Sequence, residues 1–332
     1  MDDIITLDYG SGGVKTSQLI EEVFVPAFAN AALEELSDAA AIESTGTLAF
    51  STDSFVVDPI FFPGGDIGHL AVCGTANDLL VSGAMPKYMS LACIIEEGFS
   101  MESLRRIAQS AAKTAKELGI QIVTGDTKVV PRGKGDGIYL NTSGIGSLLR
   151  DDLGTSHIRE GDVVLVTGDV GRHGMAVMLA RHELGLEGEL LSDCAPLHDE
   201  AAILRQIPSL RIMRDPTRGG LATTLCELVE GKAFHIELQE NAIPIDPAVA
   251  SACDMLGIDP LYSACEGRVI AILAKEDAPY AIEALQKLPQ CRDAAIIGEV
   301  KTGYAGQLIL RTTLGAGRIL TKLTGAQLPR IC

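Results

Sequence analysis

Residues 101–128 read Met101-Glu-Ser-Leu-Arg-Arg-Ile-Ala-Gln-Ser-Ala-Ala-Lys-Thr-Ala-Lys-Glu-Leu-Gly-Ile-Gln-Ile-Val-Thr-Gly-Asp-Thr-Lys128, and the apolar period changes part-way. Leu104, Ile107, Ala108, Ala111, Ala115 and Leu118 fall on one stripe of a 3.6-residue helix. Gly119 then predicts the helix stop. The short apolar run 120–123 predicts a strand, which leads straight into Gly125-Asp126-Thr127-Lys128. Working outward, strand-like runs recur at 48–52, 89–95, 163–166 and 269–273, with a second helical pattern over 278–288. Helices interleaved with short strands predict an α+β chain. The polar stretch 149–161 joins two folded-looking halves and predicts a domain boundary there.

Composition narrows the function. The 332 residues hold 27 basic and 44 acidic side chains, a formal charge of −17. Non-specific nucleic-acid binding needs cations against phosphates, and docking on anionic membranes needs the same. Neither is expected. No apolar run reaches the roughly eighteen residues of a membrane span. The start, Met1-Asp2-Asp3, lacks the basic region of a signal peptide, so a cytoplasmic protein is expected. The eight cysteines form no C-x-x-C pair, which argues against a zinc knuckle or a thioredoxin-type site.

An acidic chain can still bind ATP when Mg²⁺ bridges the like charges. Asp53, Asp78, Asp126 and Asp215 are read as loop acids beside strands or glycines, suited to that metal's preference for hard oxygen ligands. Asp beside Gly also makes turns and helix caps, so each alone is ambiguous. Three glycine-rich segments allow close approach to phosphate: 10–13, 168–174 and 218–220. None fits the P-loop pattern, and the second imitates a dinucleotide fingerprint only loosely. Lys128 could hold a phosphate or serve as a base, and Glu266, just before the run at 269, could accept a proton. Cys332 places a thiol on the last residue, after Pro329 and Arg330. From about 315 the core pattern dissolves, which predicts a mobile tail able to carry that thiol into a site.

Taken together, several segments resemble the HypE family of hydrogenase maturation proteins. They are Gly10-Ser11-Gly12-Gly13, Ser51-Thr52-Asp53-Ser54, Cys73-Gly74-Thr75-Ala76-Asn77-Asp78, Thr124-Gly125-Asp126-Thr127-Lys128, Arg214-Asp215-Pro216-Thr217-Arg218-Gly219-Gly220, Glu266-Gly267 and Pro329-Arg330-Ile331-Cys332. The likeness spans essentially the whole chain. It implies the PurM-like two-domain fold of aminoimidazole ribonucleotide and selenophosphate synthetases. In that fold N-terminal domains pair into a β-barrel across a homodimer, followed by a C-terminal α+β domain and a flexible tail. The implied divisions are an arm 1–40, an ATP-binding domain 41–150, a second domain 151–315 and the tail 316–332.

The resemblance also implies the chemistry. ATP would drive dehydration of a carboxamide carried on Cys332 to a thiocyanate. HypF, the carbamoyltransferase, would load the sulfur and a HypC–HypD complex would accept the cyanide. Cys332, Lys128 and Glu266 would be catalytic, with the choice of first base open between the last two. Gly10, Gly12, Gly13, Asp53, Asn77, Thr127, Asp215, Thr217, Gly219 and Gly220 would hold ATP and its phosphates. Asp53, Asp78, Asp126 and Asp215 would hold Mg²⁺. Cys265 departs from the family, standing where a polar residue is expected before Glu266. Two other readings remain. One is a selenophosphate or purine synthetase of the same superfamily, although residues 10–15 lack the cysteine the former needs. The other is a non-catalytic scaffold with a reactive tail, which has no use for clustered acids.

Overall fold

The computed structural model describes residues 3–11, 14–33, 40, 42–181 and 190–323. The N-terminal arm holds α1 (Val14–Leu19) and α2 (Val25–Phe28), joined by a π-helical turn. Next come β1 (Leu48–Phe55), a small hairpin of β2 (Phe61–Phe62) and β3 (Gly65–Asp66), and α3 (Ile67–Val81). Then follow β4 (Ala84–Glu96), α4 (Met101–Glu117), β5 (Gln121–Val130) and β6 (Ile138–Leu148). The sheet order is β1-β6-β4-β5, antiparallel except for the parallel β4–β5 pair.

One face of this sheet packs on α3 and α4; the other carries Phe50, 67% exposed, and Ile94, 45% exposed. The opening stretch folds as its sequence dictates. Ser100 caps α4 by accepting from the Ser103 amide at 3.3 Å, and Gly119 takes φ +68° after the last turn.

The second half contains β7 (Val163–Val166), α5 (Arg172–Ala180), α6 (His198–Arg205), β8 (Leu210–Arg214), α7 (Gly220–Val229), β9 (Phe234–Gln239) and α8 (Pro247–Leu256). It continues with β10 (Ile270–Leu273), α9 (Ala278–Leu285), β11 (Ala295–Thr302), β12 (Leu308–Arg311) and β13 (Gly317–Leu320). The seven strands run β13-β12-β9-β11-β7-β10-β8. β7 and β10 are buried along their whole length. Val164, Val166, Ile270 and Ile272 enter one core, while Val163, Leu165, Ala271 and Leu273 enter another on the opposite face. Such strands read as continuous apolar runs because both faces are covered. Leu80 and Val81 of α3 join that second core, so the N-terminal domain is anchored in its neighbour.

Three sequence expectations change. Asp53 lies within β1, Asp78 within α3 and Asp126 within β5; of the four acids only Asp215 sits in a connection. The α3 pattern escaped notice because thirteen of its fifteen residues are buried. A helix covered all round has no polar stripe to set a period. Its start is fixed by Asp66, whose Oδ1 accepts from the Gly68 and His69 amides at 2.8 and 3.0 Å. Finally, the ordered pattern does not end at 315. β13 pairs with β12 from Leu308–Leu320 to Arg311–Gly317, so the second domain reaches past the expected start of the tail.

Candidate active site

A cleft of about 1350 Å³ opens between β1 and α3 on one side and the β8–α7 connection on the other. Ser51, Asp53, Asp78, Asp215, Thr217 and Arg218 are among its lining residues. Two domains are needed to bring these acids together, 162 residues apart in sequence between Asp53 and Asp215 (215 − 53). The Ser51 hydroxyl donates to Asp78 Oδ2 at 2.6 Å.

The electrostatics are those of carboxyls held close together. Burial first, and the neighbouring Asp78 second, push the Asp53 carboxyl from 3.8 to about 6, with Arg218 pulling the other way. Burial and then Asp78 push Asp215 from 3.8 to about 7. Glu266 is raised well above 4.5 by burial, then by Asp215, Asp193, Asp53 and Asp78. Arg214, the other cation lining the cleft among the described residues, is already engaged with Glu227 at 3.2 Å. Clustered carboxyls must either take up protons or share a positive charge. An all-oxygen donor set at Asp53, Asp78 and Asp215 suits a hard divalent ion such as Mg²⁺.

The N-terminus of α7 supplies amides beside these acids. Gly219 lines the cleft at φ +76° and forms the helix N-cap. Gly220, at φ +62°, lies so close to the backbone of 261–263 that a Cβ would sit 2.6 Å from the Ser263 oxygen. Positive φ and close approach both require glycine here, and a helix start with exposed amides favours phosphate.

Glu266 is fixed from behind. Its amide donates to Asp193 Oδ1 at 3.3 Å, and its carbonyl accepts from the Ala195 amide at 3.4 Å. Gly267 presses on the Asp193 carbonyl, with no room for a side chain. Cys265 replaces the expected polar residue without leaving a donor stranded: its Sγ accepts from the Gly171 amide at 3.1 Å. Its own amide donates to the Pro216 carbonyl at 3.1 Å, which ties Glu266 to the Asp215 connection.

Other expected residues lie elsewhere within the chain. Asp126, Thr127 and Lys128 line a separate groove beside the N-terminal arm, where Lys128 Nζ is 3.2 Å from Asp126 Oδ1. Gly10 packs on β5, where a Cβ would lie 2.5 Å from the Val129 amide. Asn77 does not line the cleft. It is 1% exposed and bridges the domains, donating to the Ala195 carbonyl at 3.1 Å and accepting from the Leu197 amide at 2.9 Å. The glycine-rich segment 168–174 is no open phosphate loop, because Arg268 and Arg172 fill it by pairing with Asp169 at 2.5 and 2.8 Å. Gly12, Gly13 and Cys332 lie outside the described residues. The sequence reading passed over Ser51 and Arg218. A cation three residues past Asp215 in a glycine-rich turn was the available signal for the latter.

Two domain models of the AIR synthase related proteins match in tandem. The N-terminal model covers residues 36–148 and the C-terminal model residues 159–311. Carbamoyl dehydratase HypE of Rhodobacter capsulatus is 44% identical over all of this chain and 99% of its own length. The chain belongs to the HypE family of carbamoyl dehydratases. The HypE of Escherichia coli (strain K12) is likewise 44% identical, over 99% of each chain. A crystal structure of HypE in complex with ATP superposes with a TM-score of 0.94 at 45% identity, covering 98% of this chain and 99% of that one. A HypE–HypF complex superposes with a TM-score of 0.80 at 43% identity, covering 92% of this chain and 99% of the other. The two-domain PurM-like α+β fold and the HypE family's ATP-dependent carbamoyl dehydratase activity in hydrogenase maturation follow from these matches.

Proposed function

We propose that the cleft lined by Asp53, Asp78 and Asp215 uses Mg²⁺-ATP to dehydrate an S-carboxamide held on Cys332, leaving an S-cyanide. The convergence of these acids at the α7 N-terminus, with the Glu266 carboxyl close enough to be repelled by them, carries the reading. A non-catalytic scaffold has no need of such a cluster.

The thiocarbamate oxygen bonds to the γ-phosphorus as the bond to ADP breaks. The two N–H protons leave, and the C–O bond breaks with its electron pair going to phosphate. The products are Cys332–S–C≡N, ADP and phosphate. Bound Mg²⁺ would supply charge neutralisation at the phosphates. Gly219 and Gly220 open a helix whose amides receive phosphate oxygens. Glu266 is the proposed proton acceptor, its proton affinity raised above that of an ordinary carboxylate by burial and then by Asp215. Its contacts with Asp193 and Ala195 hold it in place while a proton moves.

Lys128 enters this scheme through a second chain. It lies on β5, whose sheet exposes Phe50 and Ile94 on its uncovered face. Pairing of two such faces into a barrel would cover both and bring Asp126 and Lys128 toward a neighbouring cleft. We therefore propose a homodimer, with the arm 1–40 and the domain 41–150 on its axis and the domain 151–315, extended by β13, outside. HypF is the proposed donor of the carbamoyl group and a HypC–HypD complex the acceptor of cyanide, in the cytoplasm. The test is Asp78→Asn. Mg²⁺-dependent ATP affinity falls and ADP formation with the carbamoylated chain is lost; unchanged affinity would contradict the assignment.

A further inference from the structure

We propose that His69, Cys73 and Cys194 form a binding site for a soft divalent cation, Zn²⁺ by preference, at the junction of the two domains. One ligand atom from each of the three lies within 4.8 Å of the others. His69 and Cys73 are one turn apart on α3, while Cys194 comes from the segment before α6, so the two domains supply the ligands jointly. Cys73 is 0% exposed and Cys194 6% exposed; His69 is partly exposed and gives an ion a way in.

The distances suit the ion. His69 Nε2 is 3.6 Å from Cys73 Sγ. With metal–nitrogen and metal–sulfur bonds of about 2.0 and 2.3 Å, tetrahedral ligands of these types stand about 3.5 Å apart. The donor set, two thiols and an imidazole, selects Zn²⁺ over the hard cation expected in the acid cleft.

The orientation of the ring is the second observation. Thr114 Oγ1 donates its hydrogen to the Ser110 carbonyl at 3.0 Å, so it can only accept from His69 Nδ1, 2.8 Å away. In a neutral ring Nδ1 therefore holds the proton and Nε2 the lone pair. Yet Nε2 faces the Cys194 carbonyl oxygen at 3.0 Å, another acceptor. Either a second proton or a Lewis acid at Nε2 relieves that opposition, and the two thiols beside the ring offer the Lewis acid its further ligands. Thr114, 2% exposed, then plays the outer partner that metal-bound histidines commonly have. Binding forms two metal–sulfur bonds and one metal–nitrogen bond and releases the two thiol protons to solvent.

The site has a consequence for the cleft. The segment after Cys194 receives Glu266 through Ala195, and Asp193 before it accepts the Glu266 amide. A cation at Cys194 would stiffen the wall behind that residue.

The full-length chain is stripped with chelator and titrated with Co²⁺, with Zn²⁺ as competitor. Thiolate-to-cobalt charge transfer and tetrahedral ligand-field bands are expected to saturate at one ion per chain and disappear on adding Zn²⁺. Cys194→Ser removes most of the charge-transfer intensity. Thr114→Val keeps all three ligands and lowers affinity about 10–100-fold. Cys93→Ser, a buried thiol that is not one of the three ligands, and Cys332→Ala change neither. The proposal is overturned by a chain that gives no such bands, by bands that persist in Cys194→Ser, by unchanged affinity in Thr114→Val, or by bands lost in Cys332→Ala.

Discussion

Two acid-rich regions lie back to back and are treated oppositely by the fold. Asp53, Asp78 and Asp215 line the cleft and repel one another and the Glu266 carboxyl behind them, with Arg218 as the nearby counter-charge. Behind Glu266, Asp169 is also buried but is answered twice, by Arg268 at 2.5 Å and by Arg172 at 2.8 Å. Arg172 continues to Asp246 at 2.7 Å. Buried charges are tolerated when they are paired and hydrogen-bonded. The rear network meets that condition and serves as scaffold. The cleft leaves its carboxyls in mutual repulsion, which only a proton or an added cation relieves. The unbalanced acids are where we propose that a metal-nucleotide substrate is received; the balanced acids hold the wall behind them still.

The contrast sets an order of effects. Glu266→Gln removes a proton acceptor without changing shape, so kcat falls about 10²–10⁴-fold while Mg²⁺-ATP affinity and stability stay near those of the unaltered chain. Rapid-quench measurement of the S-cyanide product against equilibrium nucleotide binding separates the two; loss of both would move Glu266 into the scaffold. Arg268→Met acts on the other region. It leaves the fully buried Asp193 without its counter-charge and Asp169 with Arg172 alone, and costs about 3–5 kcal/mol in urea unfolding. A cost below about 1 kcal/mol would mean the network is not the support described.

Next comes pH. Asp215 binds its proton more tightly in the folded chain, at about 7 against 3.8. Its stabilising contribution is therefore complete below about 4 and is lost as pH rises through 7. The nucleotide-free chain loses stability over that window, and Asp215→Asn flattens the profile, with a gain on the order of 1 kcal/mol or more at pH 8. A profile rising with pH, unchanged by the substitution, would contradict the repulsion. The smallest stability effect belongs to the exposed Lys128–Asp126 pair. Lys128→Ala costs less than about 1 kcal/mol, and its activity loss should depend on dimerisation. Mixing Lys128→Ala with Glu266→Gln chains restores part of the activity if each cleft borrows the lysine of its neighbour.

Much of this arrangement was legible in the sequence. The α4 stripe and Gly119 fixed a helix and its end, and 163–166 marked a buried strand to the residue. Of the four motif acids read as a set, those at 53, 78 and 215 meet in one cleft and 126 does not, and the loop placement held for Asp215 alone. β1 alternates only weakly in burial, and α3 has no polar face to announce a helix. The division between paired and unpaired acids was not legible at all. Asp169 sits in a glycine-rich loop that looks like a phosphate site, and its partner Arg268 is 99 residues away. Pairing across such separations is a property of the tertiary fold. The same holds for Asn77, which sits beside Asp78 in sequence and yet points into the domain junction. The weak strand Gly317–Leu320 was missed because its residues are mostly exposed and it gains order only from pairing with β12.

The central claim is tested most directly by intact-mass analysis with peptide mapping. The full-length chain is incubated with HypF and carbamoyl phosphate, then given Mg²⁺-ATP. A carbamoyl group should appear on Cys332 and then lose one water only after nucleotide is added. An adduct on a different cysteine, or loss of water without ATP, would contradict the account.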